Sequence, residues 1–305
     1  MSSIVSIVIP TYGRPDLIRR AIKSCKEQSY GNIEIIVVDD NDPDSQFRGQ
    51  TEYVMDNYRN DNQIRYIKRQ VNGGGADARN TGIDVSKGKF IAFLDDDDEY
   101  KPEFVAKQLE AMQFNKVNVV VSDFERVNDR GKLIEKRERR LKGMVKYKEA
   151  ARYHLLKGID YTSSFFFSKK ILTRISGFEK SFAGQESIVI SKLLLLNEPI
   201  FFNPISEVII HTHEGVQISF SKKRVLGIKK AHLYKRKLIG VLSLTERIRF
   251  LIGNNIFYLR EYIRVKELPG FLVALFKILY LAFALILFNP ISFVKFFKEF
   301  LKKKK

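Results

Sequence analysis

Phe90-Ile91-Ala92-Phe93-Leu94-Asp95-Asp96-Asp97-Asp98 runs from five apolar residues straight into four carboxylates. The apolar part has the β-branched and aromatic content of a buried strand, and Gly88 stands just upstream. A strand that ends this way gathers like charges at one edge of a sheet. They repel, so a fold keeps them together only where a cation or many donors compensate. In open α/β sheets, ligands bind at the carboxyl ends of strands. The stretch therefore points to a metal site for a phosphate-bearing ligand, against the plainer reading of a solvated acidic turn.

The flanking sequence alternates short apolar runs with helical patterns. Strands are expected at 5–9, 33–38 and 64–67, and helices at 15–28, 46–58 and 76–85. Leu17, Ile18, Ala21 and Ile22 line one side of the first helix. This spacing predicts an α/β class with a doubly wound, mostly parallel, Rossmann-like sheet. The strand runs are continuous rather than alternating, as strands covered on both faces should be. Beyond Pro102 the pattern predicts a helix to about Asn115 and a strand at 117–121. A polar excursion follows at 128–148, then a strand at 164–167 and a turn at Gly177-Phe178. A helix at 187–196 and a strand at 208–210 complete this part, ending at His211-Thr212-His213.

Several residues at strand ends are candidates for binding. Asp39 and Asp40 follow the second strand, where a carboxylate can accept an N–H from a nucleobase held across the sheet edge. Thr11 follows the first strand and can line the same pocket. Arg79 lies behind Gly73-Gly74-Gly75 and can reach a phosphate or the base. The glycines suit a flexible turn as well as a phosphate cradle. They do not form a P-loop, because no Gly-Lys-Ser/Thr follows. His211 and His213 alternate along an extended segment, so one of them can face a diphosphate or metal.

Four blocks taken together carry a resemblance. They are Ile7-Val8-Ile9-Pro10-Thr11-Tyr12, Ile36-Val37-Val38-Asp39-Asp40, Ala78-Arg79-Asn80-Thr81-Gly82 and Gly88 through Asp98. In order and spacing they resemble family 2 glycosyltransferases, closely over 4–125 and more loosely to about 220. The resemblance implies a GT-A fold, a nucleotide-sugar donor that is usually uridine-linked, and Mn²⁺ or Mg²⁺ held by a D-x-D element. That element is Asp95-Asp96-Asp97, with Asp97, alongside Asp95, as metal ligand. Asp40 or Asp39 and Thr11 would then contact the base, and Arg79, Asp95 and Asp96 would complete the donor site. The family's base is the second carboxylate of a Glu-Asp pair on a helix after a Gly-Phe turn. Here the pair reads Gln185-Glu186, which makes Glu186 the candidate base and implies inversion at the anomeric carbon. The same departure keeps a second reading open, a non-catalytic relative that binds nucleotide sugar or lipid.

The chain has 305 residues and a net charge of +18, unevenly spread. Residues 221–305 hold 20 lysines and arginines against 4 acidic residues. This predicts a glycosyltransferase domain over 1–220 and a basic, amphipathic to hydrophobic helical membrane-associating region over 221–305. Within that region 246–264 reads as a basic amphipathic helix. Pro269-Gly270 is expected to break it, 271–288 is nearly all apolar around Lys277, and 293–301 interleaves aromatics with lysines. The lysines sit among Leu, Ile and Phe, which favours an anionic membrane surface as partner and no nucleic acid. Attachment in the plane of the membrane is favoured over a single span. The acceptor is then a glycan, lipid-linked, in cell-surface polysaccharide assembly. Cys25 is the only cysteine, so no intrachain disulfide forms, and there is no zinc-finger pattern. The N-terminus lacks the pattern of a signal peptide. The expected location is the cytoplasmic face of the cell membrane.

Overall fold

The computed structural model describes residues 3–128, 130–212 and 222–288. The chain opens with β1 (Val5–Thr11), α1 (Ile18–Lys26), β2 (Ile33–Asp39), α2 (Gln46–Asp56), β3 (Ile64–Lys68), α3 (Gly75–Val85) and β4 (Phe90–Phe93). Each apolar run has become a strand. Every residue of β2 is buried, and β1 is buried but for Pro10. Next come β5 (Glu99–Tyr100), α4 (Phe104–Asn115), β6 (Val119–Ser122), β7 (Phe124–Val127), β8 (Leu133–Arg137), β9 (Gly143–Met144) and α5 (Tyr147–Lys157). The remainder is β10 (Phe165–Ser168), α6 (Lys169–Arg174), α7 (Gln185–Leu195), β11 (Ile200–Asn203), β12 (Val208–His211), α8 (Lys222–Lys237), α9 (Leu244–Arg264) and α10 (Leu268–Phe288).

Eight strands form one sheet in the order β3-β2-β1-β4-β10-β6-β11-β9. The first four are parallel, with Val5, Ile7 and Val8 of β1 opposite Phe90, Ala92 and Phe93 of β4. Side chains alternate across this plane. Val8, Ile91 and Phe93 join a core with α3, α5, α6 and α7, and Ile7, Ile9 and Ala92 join one with α1, α2 and α4. Four more strands make a small second sheet, β5-β12-β7-β8.

Three expectations need correction. The sheet is mixed rather than mostly parallel, because β10 enters antiparallel between β4 and β6 and β9 pairs antiparallel with β11. The excursion at 128–148 is not all loop: β8 pairs with β7, β9 pairs with β11, and α5 begins at Tyr147. Edge strands read poorly from sequence. Leu133 and Ile134 stand exposed beside Glu135, Lys136 and Arg137, so there is no buried run to recognise. The chain breaks before Pro269-Gly270, not at it. α9 ends at Arg264, Lys266 has φ 53°, and Pro269 lies in the first turn of α10, where its missing N–H costs nothing.

The basic third is not a detached appendage. Leu238, Leu242 and Phe250 belong to the same apolar cluster as Phe93 and Phe167. α9 and α10 pack on each other through smaller clusters around Tyr262 with Ala274 and around Ile248 with Ile252. Among the described residues no helix is long and apolar enough to cross a membrane. The segment 293–301 and His213 lie outside the described residues.

α3 reaches the sheet because Gly82 has no side chain. A methyl there would stand 2.2 Å from Val8 Cγ1. Gly82→Ala should therefore destabilise the fold by about 1–3 kcal/mol through overpacking, despite the better helix propensity of alanine. A urea melt would show a lower midpoint, and an unchanged or raised one would refute the contact.

Candidate active site

The four aspartates after β4 are spread over different environments by one tight turn, closed by Asp98 N–H on the Asp95 carbonyl at 3.0 Å. Asp96 points inward and is fully buried. It accepts from Thr11 Oγ1 at 2.7 Å and meets Arg14 Nη2 at 2.5 Å. Burial pushes its pKa up to about 7, against the opposing pull of Arg14. Asp98 is also buried, accepting from Ser163 Oγ at 2.7 Å and from the His211 N–H at 3.3 Å, and burial raises its pKa too. Asp95 and Asp97 are the outward pair, with side chains 34% and 18% exposed.

Arginines supply the compensating charge that the sequence demanded. Arg14 pairs with both Asp96 and Asp97. Arg20 Nη2 donates to the Asp97 carbonyl at 2.6 Å. Arg79, buried in α3, places Nη2 2.6 Å from Asp95 Oδ1 and Nη1 3.0 Å from Gln185 Oε1. It also acts electrostatically on Glu186, whose pKa is raised by burial and held back by this guanidinium. Arg79 thus joins the acidic strand end to the start of α7.

Glu186 lies in the first turn of α7, behind Gly184 in the left-handed region at φ 71°. Thr162 Oγ1 donates to its Oε1 at 3.1 Å. The approach to α7 is fixed from α3. Asn80 Oδ1 accepts the Phe178 N–H and Asn80 Nδ2 donates to the Phe178 carbonyl, each at 2.8 Å. Phe178 then meets Phe93 of β4 edge-on at 5.0 Å. Gly177 needs its positive φ of 57°, and a methyl there would strike Asn80 Oδ1 at 2.3 Å.

Asp39 and Asp40 sit where the sequence placed them, at the end of β2, and both are occupied by protein donors. Asp39 accepts from Asn41 N and Nδ2, from Tyr66 Oη at 2.5 Å, and pairs with Arg48 Nε at 3.1 Å. Asp40 accepts from Gly73 N at 3.1 Å, Gly74 N at 2.7 Å and Arg69 Nη1 at 2.6 Å. The glycine run therefore caps a carboxylate with its N–H groups. Thr11 joins the acidic turn through Asp96. His211 turns its ring to Glu99, Nε2 to Oε1 at 2.6 Å, and gives its backbone to Asp98.

Oxygen donors such as Asp95 and Asp97 suit Mg²⁺ or Mn²⁺. Among the described residues no group of three or more His, Cys, Asp or Glu could hold a metal. Two outward carboxylates with ligand phosphates and water completing the shell is a usual arrangement for Mg²⁺, so the residues present fit such an ion. The sequence reading passed over Arg14, Arg20, Thr162 and Ser163. Arg14 carried a usable signal, a cation just past β1, whose neighbour β4 ends in carboxylates. Thr162 and Ser163 carried none, since nothing in a local pattern foretells that the turn before β10 reaches this end of the sheet.

Fold and site together define an α/β protein with a charge-compensated acidic cluster at the carboxyl ends of parallel strands. The profile described as Glycosyl transferase family 2 matches residues 6–175, more than half of the chain, and the chain belongs to that family. It is 32% identical over 124 residues to glycosyltransferase GlyG of Streptococcus pneumoniae, covering 41% of this chain and 40% of that protein. It is 39% identical over 97 residues to the GalNAc(5)-diNAcBac-PP-undecaprenol beta-1,3-glucosyltransferase of Campylobacter jejuni, covering 31% and 30%. The chain thus spans less than half the length of these relatives. S. aureus TarS 1-349, solved with UDP-GlcNAc, superposes with a TM-score of 0.64 at 19% identity, over 88% of this chain and 79% of that one. That likeness extends the shared fold beyond the profile.

Proposed function

We propose that the chain is an inverting, metal-dependent glycosyltransferase, moving a hexose-type sugar from a nucleotide-diphosphate donor, a UDP-sugar, to a lipid-linked glycan acceptor in cell-surface polysaccharide assembly. One observation carries the reading. Arg79 bridges Asp95 at 2.6 Å and Gln185, the residue before Glu186, at 3.0 Å, so the acidic strand end is tied to the start of α7 where the candidate base stands. The names of the relatives support the substrate classes: one acts on an undecaprenol-linked glycan, and the structural neighbour was solved with UDP-GlcNAc.

In this reading Thr11 and Asp40 line the side where the base would lie, with Asp39 shaping it from within. Arg79 orders the donor end, Asp96 acts from beneath by fixing Arg14, and Asp97 with Asp95 would hold Mg²⁺ or Mn²⁺. The ion, when bound, offsets charge growing on the leaving diphosphate. Glu186 takes the proton of the acceptor hydroxyl. The hydroxyl oxygen bonds to the anomeric carbon as the bond to the diphosphate oxygen breaks, and that electron pair leaves with the nucleotide. Attack from the face opposite the leaving group inverts the centre. Burial favours the role of Glu186, because a raised pKa makes a carboxylate a better proton acceptor. The hydroxyl of Thr162 fixes its direction.

The membrane surface is part of the proposal. Along α10, Leu268, Leu272, Phe276, Leu279 and Phe283 are all exposed, from 42% for Leu272 to 68% for Phe276. Their spacing places them on one stripe of the helix. Lipid is the occupant that fits, given 20 basic residues over 221–305 and the anionic character of cytoplasmic leaflets. The helix would lie in the interface, at the cytoplasmic face of the membrane.

Asp97→Asn should abolish transfer and weaken metal-dependent donor binding, read by calorimetry with and without chelator. Activity that persists in chelator would remove the metal role. Glu186→Gln should lower turnover by roughly 10²–10⁴ while donor affinity stays near that of the parent. If the rate barely moves, or donor affinity collapses along with the rate, Glu186 is not the base; a parent chain that binds donor without turning it over supports the non-catalytic reading. The double change Phe276→Glu with Phe283→Glu should leave donor binding intact and abolish sedimentation with vesicles of anionic phospholipid. Undiminished sedimentation would exclude this face as the lipid contact.

A further inference from the structure

We infer that α8 is a positioning element for Glu186, its Gly227 and Ala231 forming the seat on which the turn at 181–184 rests before α7 begins. The inference builds on the reading of Glu186 as the base. It makes the basic third of the chain part of the catalytic unit rather than only an attachment.

The contact is close and backbone-mediated. A methyl at Gly227 would stand 2.5 Å from Ala183 N, 3.1 Å from its carbonyl oxygen and 3.0 Å from Ser181 Oγ. One turn further on, Ala231 Cβ lies 2.8 Å from where a methyl on Gly184 would be. Gly184 is the residue immediately before α7. Two charges fasten the seat. Lys230 Nζ donates to the Lys180 carbonyl at 2.9 Å and pairs with Glu179 Oε1 at 2.9 Å, while Lys192 of α7 meets the other oxygen of Glu179 at 3.2 Å. Lys223 lies over the Phe182 ring at 5.3 Å. From the turn, Ser181 O accepts Gln185 Nε2 at 2.6 Å, and Gln185 Oε1 accepts from Arg79. A displacement of the turn is therefore transmitted to the first residues of α7.

The other side of α8 is backed by α9. Arg224 meets the buried Glu261, Nε to Oε2 at 3.3 Å, and His232 Nδ1 is 2.6 Å from Tyr258 Oη. α8 is thus held between the turn and a packed helix, and cannot yield freely to added volume.

Gly227→Ala tests this. In an unobstructed helix the change is favourable, because alanine is the better helix former. Here it should lower kcat by roughly tenfold to a hundredfold, the effect of misplacing a reacting group by about an ångström, with donor Kd within twofold of the parent. Gly253→Ala in α9, where an added methyl meets nothing within 4 Å, is the matched control and should keep full turnover. Lys230→Met removes the tether without adding volume, so it should also lower kcat, and Lys230→Arg should restore most of it. It carries the test if Gly227→Ala fails to fold. Turnover within twofold of the parent in both Gly227→Ala and Lys230→Met, with Glu186→Gln inactive, overturns the positioning role and leaves the base assignment standing. A loss of kcat matched by an equal loss of donor affinity also overturns it. If Glu186→Gln is itself active, the base reading fails and this inference falls with it.

Discussion

Three of the four carboxylates at this strand end are met by guanidinium groups, and the fourth, Asp98, by Ser163 Oγ and the His211 N–H. Arg14, from the segment after β1, pairs with Asp96 and Asp97, Arg79 of α3 pairs with Asp95, and Arg20 of α1 holds the Asp97 carbonyl. Each requires a particular neighbour in the sheet. Arg14 can reach Asp96 and Asp97 because β1 and β4 are adjacent and parallel, so their carboxyl ends coincide. Arg79 can reach Asp95 because α3 lies flat on the sheet, which Gly82 allows. The strand order and the helix packing are thus tied to one electrostatic requirement. Opposite charges within a few ångströms in a poorly hydrated place interact strongly, and leaving any of these unpaired would be costly.

The parallel half of the fold was legible because its signal is local. β4 is an unbroken apolar run, β1 and β2 are apolar but for Ser6 and Glu34 before their final residues, and carboxylates stand at the ends of β2 and β4. The antiparallel β10 looked the same as they do. Phe165, Phe166 and Phe167 announce a buried strand without announcing its direction, which follows from the long connection through β7, β8 and α5. The polar β8 gave no run to read. α8 was missed for a related reason: its lysines are spread around the helix, and only Val225, Gly227 and Ala231 are buried. Two of those three carry little or no side chain, so no hydrophobic stripe appears.

Within the site, residue types were readable and partners were not. Asp39, Asp40, Arg79 and the aspartates after β4 were picked out by their place in the chain, and Glu186 by the family resemblance. Asp39 and Asp40 proved to be satisfied internally by Asn41, Tyr66, Arg48, Arg69 and the glycine N–H groups, contacts that span up to 34 residues. Pairings at that range follow from topology, and topology is what a periodicity argument leaves open. The glycine run shows the same limit. The sequence left it open between a flexible turn and a phosphate cradle, and its backbone donors serve a carboxylate of the chain itself.

The placement of β10 also orders events during synthesis. It lies between β4 and β6, yet emerges from the ribosome 72 residues after the end of β4. At about 5–20 residues per second the apolar edge of β4 waits roughly 4–15 s for its permanent neighbour. The parallel half can form in that interval, but it does so with an unpaired strand of Phe90, Ile91, Ala92 and Phe93 along one side, a surface open to pairing with another nascent chain. The acidic turn that follows directly on this strand brings four negative charges to its end. A feature that serves binding in the finished protein would also repel like copies while the sheet is still half built.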